Sequence, residues 1–271
     1  MTTPWLSVQP GAAPLIVSLP HTGTEIPPDI EATLIDPWLA RKDADWWVDR
    51  LYDFAVDLGA TLVRTAMSRT VIDVNRDPSG ASLYPGAVTT SLCPTETFDG
   101  EPLYRTGPGA TEITRRRTLW FDPYHAALRR EIARLRTLHP RIVIYDAHSI
   151  RSRVPRLFDG DLPVFNIGTN SGAGCDARLT DAVDAACAGS GLPTVVNGRF
   201  KGGYITRSSG RPSLGVHAVQ MELACRGYMG ESGIDRETWP PAYDADRAAP
   251  MRTTLTRVLN ACLDFTDGER P

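Results

Sequence analysis

A chain of 271 residues with 42% hydrophobic content is long enough to bury a substantial core, and its formal charge of -3 removes the basic excess expected of a nucleic-acid binder. No run approaches the roughly 20 apolar residues of a membrane span, and the start, MTTPWLSVQPG, has neither a basic region nor an apolar core; a soluble, cytoplasmic chain is expected. Cys93, Cys175, Cys187, Cys225 and Cys262 have no C-x-x-C spacing, which argues for reduced thiols and against a disulfide framework or a thiolate zinc site.

Pro14 to Leu19, PLIVSL, reads as a buried strand stopped by Pro20-His21-Thr22-Gly23, so His21 falls at its end. Asp36 to Leu58 reads as one helix, with Val48, Leu51, Tyr52, Ala55 and Leu58 on a common face and Gly59 as its stop. Asp43 and Asp45 lie in its early turns, where acidic residues commonly cap. Thr61 to Thr65 and Val71 to Val74 are further strands, the second closing with Asp73-Val74-Asn75-Arg76. Asp77 to Gly109, dense in Pro, Gly, Ser and Thr, has the length of a functional loop. Thr111 to Leu138 is helical and expected to break near Pro123, with Arg115 to Arg117 and Arg129-Arg130 on solvated faces.

Arg141 to Tyr145 is a β-branched run that reads as a central strand, ending in Asp146-Ala147-His148-Ser149. Asp146 and His148 are two apart and share a side of an extended backbone, so the carboxylate can fix the tautomer of a ligating imidazole. Val164 to Ile167 is a short strand, Asp176 to Ala188 a helix and Thr194 to Val196 another strand. Asn197 to Arg207 then combines Gly202-Gly203 with Arg199, Lys201 and Arg207, suited to a close approach to an anion or to an ordinary hairpin. Val216 to Met221 is the last strand, with Glu222 at its end, and Thr253 to Leu263 a closing helix. Alternating strands and helices without a dividing linker indicate one α/β domain, residues 1–271, with a mostly parallel sheet covered on both faces.

His21, His148, Glu222 and the Asn75-Arg76 pair all fall at predicted strand ends, and polar groups on one edge of a sheet can converge on one site. Two histidines and a carboxylate around a divalent ion, with a position left for water, is a catalytic zinc arrangement. No contiguous H-E-x-x-H motif is present, and local reasoning leaves Glu25 and Asp45 both open as the carboxylate.

Six ordered segments resemble the N-formylglutamate amidohydrolase family: Ser18 to Gly23, Asp45 through Leu51-Tyr52, Ser68-Arg69 leading to Asp73-Val74-Asn75-Arg76, Asp146 to Arg151, Asn197 to Arg207, and His217 to Glu222. The resemblance implies a phosphorylase/hydrolase-like α/β/α sandwich of the zinc-exopeptidase type, with a mixed sheet around parallel central strands. It implies His21, Asp45 and His148 as metal ligands, Glu222 as the catalytic glutamate, and hydrolysis of N-formyl-L-glutamate at the end of a histidine degradation route. The spacing departs from that of zinc carboxypeptidases, whose first histidine and glutamate lie three apart; His21 and Glu25 are four apart. Zinc is the expected ion, with cobalt, manganese or iron compatible.

A substrate with two carboxylates calls for planar cations. Arg69, Arg76 with Asn75, Arg151 and Arg207 are the candidates, with Lys201 and Gly202 closing over the ligand. Asp146 is expected to orient His148, and His217 either to donate to an oxyanion or to pack. His125 and His139 read as structural. Three rival readings remain: a deacylase for other N-acyl amino acids or small peptides, a serine hydrolase using Ser149 or Ser68, which lacks the G-x-S-x-G elbow, and a noncatalytic dicarboxylic amino acid binder.

Overall fold

A computed structural model describes residues 5–81 and 90–268. Its centre is a seven-stranded sheet formed by β1 (Leu6–Gln9), β2 (Leu15–Leu19), β3 (Thr61–Thr65), β4 (Ile142–Ile150), β5 (Phe165–Gly168), β6 (Thr194–Val196) and β7 (Val216–Ala224). The order is β1-β3-β2-β4-β7-β5-β6, and β3, β2, β4 and β7 run parallel to their neighbours in that series. β1 runs antiparallel to β3 and β5 antiparallel to β7, so the sheet is mixed around a parallel centre, as expected.

Alternation along the central strands feeds two cores. Leu15, Val17, Val143, Tyr145, Val219 and Met221 pack on one face against helices α2 (Ala177–Ala188) and α3 (Ala245–Asp267). Ile16, Ile142, Ile144 and Ala218 pack on the other with α1 (Asp122–Leu138), whose Tyr124, Leu128 and Leu135 are buried. Strands buried on both faces are what a continuous apolar run predicts. No helix among the described residues is long and apolar enough to cross a membrane.

Several local expectations need correction. Residues 36–58 do not form one helix: they make short helical turns at Leu39–Lys42 and Val48–Leu51 and a tight turn at Asp53–Val56. Trp47, at φ 64, sits in the left-handed region and interrupts any continuous helix. Val71 to Val74 is not a strand, because the chain turns there, with Val71 N–H donating to Ser68 O. The helix through Pro123 does not break; a π-helical segment, Arg117–Phe121, carries Ala110–Arg116 into α1 directly before Pro123, and its wider turn accommodates the residue that lacks an N–H. Arg116 is not solvated: it is buried and donates to Glu112, Tyr104 Oη and Val71 O. Of the long loop after Asp77, residues 82–89 lie outside the described residues.

The site depends on how β2 leaves the sheet. Its pairing with β4 runs from Leu15↔Val143 to Ser18↔Asp146, and Pro20, lacking an N–H, cannot extend it. Gly23 lets the departing chain pass β3's end, since a Cβ there would lie 2.3 Å from the Ala66 carbonyl carbon. β4 and β7 continue together to Ile150↔Ala224, beyond the ends expected at Tyr145 and Met221. The side chains exposed by β2's departure form the site.

Candidate active site

β4 contributes Asp146 and His148 to one side of the sheet, and their register partners on β7 are Gln220 and Glu222. His21 arrives from the end of β2. Asp45 is delivered by the broken segment after it: Asp45 N–H donates to His21 O at 2.9 Å, while Ser149 N–H donates to Asp45 Oδ2 at 3.2 Å. Asp45 Oδ2 lies 3.0 Å from His148 Nδ1 and 3.7 Å from His21 Nδ1, and the donor atoms of the three residues lie within 4.8 Å of one another. Glu25, the other carboxylate considered, is exposed and outside this cluster.

The far nitrogen of each ring is held by its own carboxylate. His21 Nε2 lies 2.7 Å from Asp73 Oδ1, and His148 Nε2 lies 3.1 Å from Asp146 Oδ2. Asp146 is further held by Ser18 Oγ at 3.0 Å and Asn75 Nδ2 at 2.9 Å. Burial and the Arg69 charge lower the His21 pKa. Burial acts in the same direction on His148, but the Asp146 and Asp45 carboxylates outweigh it and raise that ring well above the ordinary histidine value. Asp45 is held low despite burial by its bond to His148 and the charges of His21, His148 and Arg69. His148 Nδ1 bonds to Asp45 Oδ2, and Asn75 Nδ2, whose amide oxygen is engaged by Ile205 N–H, lies 2.8 Å from His148 Nε2.

Two buried atoms of the cluster, His21 Nδ1 and Asp45 Oδ1, have no hydrogen-bond partner. Orphaned buried polar atoms are rare, and these two belong to a two-nitrogen, one-oxygen donor set whose rings are oriented from behind by carboxylates. That is the donor chemistry and outer support of a divalent-cation site, and the residues fit it.

A cavity opens on the cluster, lined by His21, Arg69, Asn75, Arg76, His148 and Glu222 among the expected residues. Glu222 is 8% exposed, and burial pushes its carboxyl up to about 8. Arg69 is anchored to Asp73 Oδ2 at 2.8 Å and lies 4.8 Å over the Phe98 ring. Arg76 donates to Thr90 Oγ1. Asn75 lines the wall, but its amide bonds internally: Oδ1 accepts from Ile205 N–H while Nδ2 holds Asp146.

Other expected residues fall outside this cavity. Arg151 follows Ile150, lies beyond the cavity lining, and pairs with Asp43 and Asp99. Arg207 Nε donates to Gly202 O, and Lys201 O accepts from Asn170 N–H. His217 lies near the opposite end of β7, where its Nδ1 accepts from Asp176 N–H and its ring meets Phe265 edge-on. Sequence reasoning missed Asp73 as the partner of His21, Gln220 beside Glu222, and the walls Phe98 and Phe200, which stand with Arg199, one of the cations of the 197–207 stretch. Gln220 was readable, because it shares Glu222's side of any extended strand; the two walls come from irregular chain.

Two imidazoles and a carboxylate at the carboxyl edge of parallel strands, with a second acid on the adjacent strand, is the build used by mononuclear metallohydrolases. The chain belongs to the N-formylglutamate amidohydrolase family, whose model matches residues 13–229. The N-formylglutamate deformylase of Pseudomonas aeruginosa is 46% identical over 261 residues, covering 95% of this chain and 96% of that protein. The Pseudomonas putida protein of the same name is 45% identical over 262 residues, covering 95% of each. The crystal structure of N-formylglutamate amidohydrolase from Ralstonia eutropha JMP134 superposes with a TM-score of 0.78 at 25% identity, covering 97% of this chain and 98% of that one.

Proposed function

We propose that this chain, acting as one cytoplasmic domain, hydrolyses N-formyl-L-glutamate to formate and L-glutamate as the last step of a histidine degradation route. Relatives 46% and 45% identical carry the deformylase name, which supports the substrate. The observation that carries the mechanism is the pair of buried atoms without a hydrogen bond, His21 Nδ1 and Asp45 Oδ1, beside His148. His21, Asp45 and His148 hold the cation, with zinc expected. Once bound, the ion supplies Lewis acidity towards a carbonyl and lowers the pKa of water at the site.

The remaining steps belong to the chain's own side chains. Glu222 in its ionised form takes a proton from the attacking water and returns it to the departing amine, and burial, which raises its carboxyl to about 8, makes that ionised form a stronger base than an ordinary carboxylate. Arg69 and Arg76, both in the cavity lining, meet the substrate carboxylates, with Asp73 fixing Arg69. Formate release from N-formylglutamate, compared with N-acetylglutamate and other N-formyl amino acids, tests the reading. Chelation is expected to abolish activity and zinc to restore it, and Glu222→Gln to retain ligand binding while losing about 10²–10⁴-fold in kcat. Full activity after the metal is removed, or no formate from the metal-loaded protein, overturns it.

A further inference from the structure

Gln220 is 4% exposed and lines the cavity, yet it belongs neither to the metal cluster nor to the cations assigned to the substrate. Its Oε1 accepts from Gly203 N–H at 2.7 Å, and its Nε2 donates to Glu222 Oε2 at 3.3 Å. The orientation is forced: a backbone N–H can only donate, so the amide oxygen must face Gly203 and the NH2 must face the carboxylate. The Gly203 side is equally confined, since a Cβ there would come within 2.4 Å of the Asn75 amide. Gly203 N–H therefore meets Gln220 while the backbone is wedged against the residue that holds Asp146 and adjoins His148.

We infer that Gln220 is a positioning residue that ties the Gly202–Gly203 backbone to Glu222. This rests on the reading of Glu222 as the general base. Donation to Oε2 fixes one oxygen of Glu222 and leaves Oε1, which accepts no hydrogen bond from the described residues, to face the water. The same amide holds Gly203, itself part of the cavity wall, so the base and that wall are aligned by one side chain. Gln220 touches no reacting atom.

The two halves of the amide separate in two variants. Gln220→Glu keeps an acceptor for Gly203 but turns an oxygen towards Glu222; Gln220→Met matches the length and removes both bonds. With metal content unchanged in each, Gln220→Glu is expected to lower kcat about tenfold to a hundredfold with KM nearly constant, whereas Gln220→Met lowers kcat similarly and also raises KM. A merely structural role predicts no such split. In a Glu222→Asp background, where the carboxylate is withdrawn from the amide, the kcat effect of Gln220→Glu should largely vanish; equal effects in both backgrounds overturn the inference. Both variants keeping kcat within about twofold of the wild type also overturn it. If Gln220→Met fails to fold, the Gln220→Glu cycle decides alone. Loss of kcat in Glu222→Gln alongside unaffected Gln220 variants removes only this inference, whereas retained kcat in Glu222→Gln removes the general-base reading itself.

Discussion

The two ends of the β4–β7 pair each carry a buried histidine, and they differ in what surrounds it. At the carboxyl end, His148 is 2% exposed between Asp146 and Asp45, which raise its pKa well above the ordinary value. At the other end, His217 is 4% exposed; burial and the Arg141, Arg178 and Arg136 charges lower its pKa against the pull of Asp176. Burial lowers the pKa of both rings, so the opposite outcomes follow from two carboxylates outweighing it at His148 and one carboxylate, opposed by three guanidinium groups, failing to do so at His217. A histidine becomes a candidate ligand where acids converge on both its nitrogens, and packing material where a backbone N–H and an aromatic edge satisfy it.

The strongest way to break this contrast is His148→Ala. It removes one donor of three, so metal stoichiometry by elemental analysis should collapse and formate release should fall by more than about 10³-fold. Retained metal and activity would show that the acids around His148 do not mark a cation site. Asp146→Asn sharpens the same contrast less drastically. With the ring freed from its carboxylate, metal affinity or activity should drop about 10–100-fold, as for other outer-shell partners of ligating histidines.

A pH series adds a sign to that comparison. Because the His148 pKa is raised, a cation entering at neutral pH must displace the proton shared with Asp45. Metal affinity, measured by competition with a chromogenic chelator, should therefore rise with pH by about tenfold per unit until the pH passes the pKa of the ring, and flatten above it. Asp146→Asn removes a raising charge, so the flat region should begin at lower pH. An affinity that is level from pH 6 to 8, or that falls as pH rises, contradicts the proton's placement.

What the sequence makes legible follows the same physics. The runs at 15–19, 142–145 and 216–221 pair where their apolar pattern places them, because strands buried on both faces leave few alternatives, and 61–65, buried on one face only, pairs beside them. His21, His148 and Glu222 meet at one edge as their positions after those runs suggest, whereas Asp45 joins them from an irregular segment and is indicated only by the family resemblance. The misreadings arise where local pattern is indifferent to backbone turns. Three-and-four spacing persists from Val48 to Leu58 although Trp47 has positive φ, since turns conserve that spacing without helix continuity. Ending β4 at Tyr145 discards its parity; followed to Ile150, alternation puts Ile150 on the side of Asp146 and His148 and sends Arg151 away from it. Arg116 is hidden for a different reason: its burial depends on Tyr104 and Val71, distant in sequence.

His217 gives the smallest expected effect and the cleanest control. It is motif-adjacent, sitting five residues before Glu222 on the same strand, and proximity in sequence alone would assign it to the chemistry. Its contacts assign it to the junction of β7 with the start of α2, where Asp176 is the helix N-cap, and with Phe265 of α3. His217→Gln should leave kcat and KM within about twofold, while loss of the ring contact and a displaced acceptor for Asp176 N–H should cost about 1–2 kcal/mol, lowering Tm by a few degrees. A thermal melt beside steady-state kinetics reads both. A large fall in kcat at unchanged Tm would place His217 in the reaction path and end the distinction between the two ends, because the only route from that ring to the substrate would then run through the sheet itself.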